Sequence, residues 1–211
     1  ALAGAAAQRS GGAPAAPPSA HTKAFIGARV IDGTDRPPID NATIVVRDGK
    51  VQSVAPAARA QVPADAERIT LQGKTVIPGI VNAHGHVGNT EGMEQGHYSA
   101  ENVARDLKTY AAYGVTTVFS LGDDQAAGIF ARDSQRTPTL NRSRLFVAGP
   151  VLAPKTVDEA RTQVDETVAM KVDIIKIRVD DNLGTTKKMP PEIYKAVIDE
   201  AHKKGARVAV H

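Results

Sequence analysis

The chain has 211 residues, of which 42% are hydrophobic and 23% charged, with a net charge of +3 and no cysteine. A positive charge this mild and this scattered gives no reason to expect a nucleic-acid partner, and the lack of cysteine excludes disulfides and thiolate zinc sites. No apolar run reaches the roughly 18 residues of a membrane span, so none is expected.

The beginning of the chain, residues 1–22, is predicted to be a disordered tail or the remnant of a signal peptide. Residues 1–20 are nearly all Ala, Gly, Pro, Ser and Gln, which cannot bury enough surface to fold. Ala1 to Gln8 resembles the last part of a signal peptide, with small residues suited to cleavage. A periplasmic or secreted location is therefore expected, and a flexible linker in a cytoplasmic protein is the alternative.

Residues 23–77 have the pattern of short strands joined by tight turns. Asp32-Gly33 and Asp48-Gly49 are turn dipeptides, and the second of them predicts a hairpin. The pattern predicts a small antiparallel β-sandwich domain. Its strands are expected at residues 25–31, 42–46, 50–54, 69–71 and 73–77.

Residues 78–211 alternate between strands and helices. Thr156 and Glu159 form a capping box at a helix start, and Gly114 is placed to end an earlier helix. Five such strands in succession predict a parallel sheet, either doubly wound or part of a (β/α)8 barrel. A barrel needs about 250 residues, so this fold would hold only strands one to five and the chain would be truncated at its C-terminal end. The strands are expected at residues 80–84, 115–120, 144–148, 173–179 and 206–211, and the helices at 99–113 and 125–134 and from 156 and 190.

Four side chains at the carboxyl ends of these strands indicate a metal-dependent hydrolase. His84 and His86 are two residues apart on one strand, so both imidazoles point to the same face. Lys176 lies in an apolar run, and a buried neutral amine can add carbon dioxide to become a carbamate that bridges two cations. His211 ends the fifth strand. A structural pair of histidines, an ion-paired core lysine and a terminal bystander are the alternatives.

Other polar residues near this rim are weaker candidates. His97, in the loop after the first strand, is a candidate substrate contact or a surface residue. Arg178 shares a strand face with Lys176, so it would hold a substrate carboxylate or pair with Asp180 or Asp181. Asp123 and Asp124 follow the second strand, where they would line the mouth of the site or cap a helix.

These motifs resemble the amidohydrolase superfamily, specifically its imidazolonepropionase-like branch with Xaa-Pro and Xaa-Arg dipeptidases. The matching segments are residues 75–86, 113–118, 173–177 and 206–211. The resemblance implies a (β/α)8 barrel beside a β-sandwich built from both chain ends. It also implies that His84 and His86 bind the more buried ion, that carboxylated Lys176 bridges, and that His211 binds the second ion.

The expected activity is hydrolysis of an amide, cyclic amide or dipeptide C–N bond by a water activated on two divalent ions, expected to be zinc. The family's general-base aspartate, after strand eight, has no counterpart in this chain, so the fragment itself is expected to be inactive. A mononuclear deaminase with a purely structural Lys176 and a non-catalytic fragment or binding module are the alternatives. The expected partner is a small molecule or dipeptide, and the full-length protein could form a homo-oligomer.

Overall fold

A computed structural model describes residues 21–211, which fall into two compact units, one ending at Val76 and the other spanning Ile77–His211. The predicted signal-peptide remnant lies outside the described residues. The tail was predicted to include residue 22, but the first strand already begins at Thr22. His21 supports this start, since its carbonyl oxygen accepts a hydrogen bond from the backbone N–H of Asp48.

The first unit is a single five-stranded sheet in the order β3-β2-β1-β4, with β5 also paired to β1. β1 pairs with β2 in an antiparallel register, as does β2 with β3. The expectation of a purely antiparallel sheet is wrong, because β4 and β5 both run parallel to β1; the β-sandwich, expected from both chain ends, stays a prediction. Residues 57–66 connect β3, at one edge of the sheet, to β4, at the other edge. The strands are β1 (Thr22–Val30), β2 (Ile39–Arg47), β3 (Lys50–Pro56), β4 (Glu67–Thr70) and β5 (Thr75–Val76), with a 3-10 turn at Ala57–Arg59.

The second unit alternates strands and helices as its pattern predicts. Its strands are β6 (Ile80–Gly85), β7 (Thr90–Glu91), β8 (Glu94–Gln95), β9 (Val115–Ser120), β10 (Arg144–Val147), β11 (Val151–Leu152), β12 (Ile175–Ile177) and β13 (Val208–Val210). Its helices are α1 (Ala100–Ala112), α2 (Ala126–Asp133), α3 (Val157–Ala169) and α4 (Pro191–Lys203). Among residues 21–211, none of the helices is long and apolar enough to cross a membrane.

The main strands of this unit are parallel neighbours in chain order. β9 lies between β6 and β10, and β12 lies between β11 and β13, all in parallel register. β10 and β11 are two pieces of one strand interrupted at residues 148–150, and each piece pairs with a different neighbour. The two three-stranded sheets therefore follow one another along the chain. This is the α/β fold expected from the sequence.

Two apolar clusters pack the helices against these strands. Val103 and Leu107 of α1 pack with Val118 and Leu145 of the strands, all almost fully buried. The second cluster joins α3 and α4 to β12 through buried aliphatic residues that include Val164, Val197, Ile175 and Ile177. Because side chains alternate along a strand, Ile175 and Ile177 face the helices and Lys176 faces the opposite side of the sheet.

Candidate metal centre

Three histidine rings come together at the carboxyl ends of the first and fifth parallel strands. His84 lies in β6 and His86 just beyond it, and their ring centroids are 5.7 Å apart. His211 follows β13, and its ring centroid is 5.8 Å from that of His84. The structure thus brings together residues that lie more than 120 positions apart in the sequence.

Lys176 completes this group from the middle of β12. Its side chain is only 2% exposed, and its Nζ lies 3.3 Å from Nε2 of His84. Burial, together with the nearby charge of Arg178, lowers the pKa of Lys176. Among residues 21–211, no carboxylate forms an ion pair with this amine. The lysine is therefore buried against other nitrogen groups, without the anionic partner that a structural lysine needs.

A cavity of about 290 Å³ opens beside these residues. Its lining includes His86, Lys176 and His211, together with Arg178 and Asp123. Gly122 lies between two lining residues, Leu121 and Asp123, with φ +127, and an ideal Cβ placed on it would lie 2.3 Å from Cγ2 of Val151 and 3.7 Å from Cγ of Lys176. Glycine at this position therefore keeps the space beside the lysine stem open.

The electrostatics of this group favour an incoming anion. Partial desolvation lowers the pKa of His84, and the neighbouring Lys176, His86 and His211 lower it further. Each of these shifts disfavours an additional proton, because the cluster already combines several groups that carry positive charge when protonated. Adding carbon dioxide to the Lys176 amine would replace a positive charge with a negative one, which removes this repulsion.

The residues present fit a divalent metal centre in type and in spacing. Two imidazoles on one ion, each with a metal–nitrogen distance of about 2.1 Å, have ring centroids roughly 5–6 Å apart, and the ring centroids of His84 and His86 are 5.7 Å apart. Within the described chain, however, no three His, Cys, Asp or Glu side chains are already grouped as a metal site. The fourth nitrogen group is Lys176, which becomes an oxygen ligand only after modification.

The two predicted substrate contacts occupy different surroundings. Arg178 lines the cavity, and its guanidinium donates to Asp180 at 2.7 Å and to Asn182 at 2.7 Å. His97 instead lies near two carboxylates, with 3.5 Å to Glu94 and 3.8 Å to Glu91. The structure therefore does not bring His97 together with the other predicted residues, whereas it places Arg178 among them.

A buried polar group beneath this rim was not anticipated from the sequence. Asp124 is only 3% exposed, and its Oδ2 accepts from the backbone N–H of Ala148, so the expected helix-cap role is wrong. Its Oδ1, Ser120 Oγ and Tyr98 Oη have no hydrogen-bond partner among the described residues. Burial raises the pKa of Asp124 to about 6 and that of Tyr98 to about 12. The dipeptide Asp123-Asp124 was the only sequence signal for this group.

The sequence pattern of the amidohydrolase family matches residues 75–211 of the chain. The chain is 28% identical over 197 residues to an enamidase of Eubacterium barkeri, and this match covers 87% of the chain and 47% of the enamidase.

Solved structures show the same fold over most of the chain. A Bifidobacterium longum protein provisionally described as a prolidase aligns with a TM-score of 0.75 and 29% identity, covering 90% of this chain and 49% of that one. A Xaa-Pro dipeptidase with bound methionine aligns with a TM-score of 0.73 and 22% identity, covering 90% and 56%. The chain spans about half the length of these relatives.

Proposed function

Because the chain belongs to the amidohydrolase family, we propose that it carries half of the metal centre of an enzyme that hydrolyses an amide, cyclic amide or dipeptide C–N bond. The single observation that carries this proposal is the position of Lys176, buried 3.3 Å from His84 on the face shared with His86 and His211. The relatives act as an enamidase and as prolidase-type enzymes, which supports the choice of bond.

The proposed architecture is the first five strands of a (β/α)8 barrel. Parallel pairing of β6 with β9 and β10, and of β11 with β12 and β13, supports it. So does the position of the candidate residues, since active sites of such barrels lie at the carboxyl ends of the strands.

Each residue of the centre has a proposed task. His84 and His86 would hold one ion, His211 would hold a second, and Lys176, once carboxylated, would supply oxygen ligands to the centre. The carbamate forms when the neutral amine attacks carbon dioxide and releases a proton. The bound ions, expected to be zinc, would lower the pKa of a water and polarise the substrate carbonyl. Arg178, on the cavity wall, would orient the substrate.

The test is the metal content of the purified 211-residue chain, measured by mass spectrometry after dialysis against zinc in bicarbonate buffer. We expect His84→Ala and Lys176→Ala each to lose bound zinc, because each removes a ligand. His202→Ala, an exposed histidine on α4, serves as the matched control and should retain it. Removing dissolved carbon dioxide should lower the zinc content of the unmodified chain but not that of Lys176→Ala.

Three outcomes separate the proposal from its rivals. Unchanged zinc content in both His84→Ala and Lys176→Ala would refute the centre. One ion per chain that survives Lys176→Ala would favour the mononuclear deaminase. A 211-residue chain that is soluble, monomeric and free of zinc would favour a non-catalytic fragment or binding module.

A further inference from the structure

The first unit contains a cavity of its own, of about 370 Å³, on one face of its sheet. Thr22 of β1, Val45 of β2 and Ala55 of β3 line it, and the connection from β3 to β4 contributes further lining residues at positions 59–63. Small-molecule sites have volumes of roughly 300–1,000 Å³. The cavity is therefore large enough for a small ligand, and its lining residues all belong to the first unit.

An irregularity in β3 brings an extra polar side chain to this cavity. Ser53 pairs with Val45 and Val51 pairs with Val46, so Gln52 is an additional residue without a partner on β2. In a regular strand, two adjacent side chains point to opposite faces of the sheet, and a bulge breaks this alternation. Gln52 and Ser53 accordingly both line the cavity. The bulge therefore adds a hydrogen-bonding amide to the lining.

The lining of this cavity contains two arginines and no carboxylate. Arg47 ends β2, and Arg59 lies in the 3-10 turn that follows β3. Among residues 21–211, neither guanidinium forms an ion pair. A guanidinium presents a planar fork of N–H donors that matches the oxygens of a phosphate or a carboxylate. A ligand with two negative charges would therefore neutralise the lining.

The same lining contains a buried hydroxyl group without a partner. Thr22 is only 5% exposed, and its Oγ1 forms no hydrogen bond with any described residue. Thr22 lies directly opposite Arg47 in the register of β1 with β2, so their side chains share one face of the sheet. A buried polar group without a partner is unfavourable. An oxygen acceptor bound beside Arg47 would satisfy this hydroxyl as well.

We propose that this cavity binds a phosphate dianion, either the free ion or the monoester of a small molecule. Arg47 and Arg59 donate to its oxygens, and Thr22 supplies a third, buried donor. A phosphate fits better than a carboxylate, because its double negative charge matches the two guanidiniums and its three terminal oxygens can accept from separate donors. The site goes beyond the proposed hydrolysis, since it uses no metal and no residue of the second unit.

The test is a titration of the metal-free, ¹⁵N-labelled 211-residue chain, followed by nuclear magnetic resonance. The probes are inorganic phosphate, glycerol 3-phosphate and acetate at pH 8, where the phosphates are mainly dianions. We expect at least one phosphate probe to bind roughly tenfold more tightly than acetate and to shift the signals of residues 45–47 and 52–61. Because metal is left out, no probe can bind through an ion.

Variants of the lining test the individual contacts. Arg47→Gln/Arg59→Gln should bind the phosphate probe roughly tenfold more weakly, because it loses two charge contacts. Thr22→Val keeps the shape of the side chain and should bind roughly two- to fivefold more weakly, because it loses one donor. Arg68→Gln, an exposed arginine of β4 outside the lining, is the matched control and should bind normally.

Acetate binding as tightly as both phosphate probes would overturn the proposal, as would unchanged phosphate affinity in the double variant or in Thr22→Val. Tighter binding of glycerol 3-phosphate than of inorganic phosphate would identify the ligand as a monoester, and the reverse order would identify the free ion; both support the site. The signals of the remaining residues show whether each variant is folded. The result is independent of the zinc experiment, which concerns other residues, so either proposal can fail alone.

Discussion

Asp124 shows how one buried side chain ties the stability of the second unit to pH. Its carboxyl group is almost fully buried and receives a single hydrogen bond, from the Ala148 N–H, while Oδ1 has no partner among the described residues. Burial raises its pKa to about 6, although the hydrogen bond from the Ala148 backbone acts in the opposite direction. The folded chain therefore holds this proton more tightly than an unfolded chain, in which the pKa of Asp is about 3.9.

The raised pKa of Asp124 makes the second unit less stable as the pH rises from about 4 to 6, because the folded state must ionise a buried group. Above about pH 6, Asp124 lowers the free energy of unfolding by a constant amount. We expect Asp124→Asn to be more stable than the unmodified chain by roughly 1–3 kcal/mol at pH 8, and equally stable near pH 4. Urea denaturation at several pH values measures the difference.

Asp199→Asn, an exposed aspartate of α4, provides the comparison and should not alter the pH profile. If Asp124→Asn kept the same pH dependence as the unmodified chain, Asp124 would not be the group that titrates.

Residues of the candidate centre differed in how well the sequence predicted them. The pairing of His84 with His86 follows from strand alternation, and their approach to Lys176 and His211 follows from parallel strands ending at one edge. The Asp124 group could not be predicted, because its burial depends on Tyr98 and Ser120, which come from two other parts of the fold. His97 was expected near the substrate, but the hairpin of β7 and β8 carries it towards Glu91 and Glu94.

At the scale of elements, the start of α3 is determined by local chemistry. Thr156 Oγ1 accepts from the backbone N–H of Glu159 at 3.2 Å, and Glu159 Oε2 accepts from the N–H of Lys155 at 2.8 Å. The side chains thereby satisfy backbone donors that the helix leaves without partners. The contact of Glu159 falls one residue earlier than in a standard capping box, yet the predicted helix start is correct.

Two threonines near this end of α3 offer a matched comparison. Thr156→Ala should lower the free energy of unfolding by about 1 kcal/mol, because it removes the cap. Thr162 lies inside the same helix, exposed, with its hydroxyl donating to the Asp158 carbonyl oxygen. Thr162→Ala should be neutral or slightly stabilising, since alanine favours helix interiors. Thermal and urea denaturation of the two variants would contradict this if Thr162→Ala lost as much stability as Thr156→Ala.

Elements with a long periodic pattern were predictable, and short ones were not. The helix α1 lies within one residue of its expected bounds, and β9 has the expected bounds. β11 and the hairpin of β7 and β8 are only two residues per strand, too short for any alternation to show. β11 is a strand because it pairs with β12, where Lys176 faces Val151 in the parallel register, and β7 and β8 pair with each other.

Across the second unit as a whole, Asp173 joins the two three-stranded sheets. Its backbone N–H donates to the Val147 carbonyl oxygen at 2.9 Å, and its Oδ2 accepts from the Val147 N–H and from Arg132 Nη1, each at 2.9 Å. Arg132 also donates to the Lys171 carbonyl oxygen. Asp173 therefore connects β10, β12 and α2 at the end of the strands opposite the candidate centre.

Removing this carboxylate should weaken the whole unit. We expect Asp173→Ala to lower the free energy of unfolding by roughly 2–4 kcal/mol, because it leaves a largely buried guanidinium and a backbone N–H without their acceptor. Asp173→Asn should lose less, since its amide oxygen can still accept from Val147. The exposed Asp199→Ala is the reference, and urea denaturation gives all three values. A loss no greater for Asp173→Ala than for Asp199→Ala would show that the contact does not stabilise the fold.

The long-range organisation of the chain was predictable only where local rules dictate it. Alternating strands and helices require parallel pairing, so the arrangement of the second unit followed from its pattern. In the first unit the turn dipeptides predicted the hairpins, but nothing local indicates that β4 and β5 return beside β1 in the same direction. The order of that sheet is a property of the folded unit.

Even the substitution Gly122→Ala would disturb the cavity beside Lys176. A single methyl group there would overlap Val151, and the nearest relief is movement into the volume next to Lys176. Laboratory evolution of this chain would therefore find position 122 almost immutable, even though the residue has no functional group to lose. Saturation mutagenesis that left out glycines would overlook this steric requirement of the space beside Lys176.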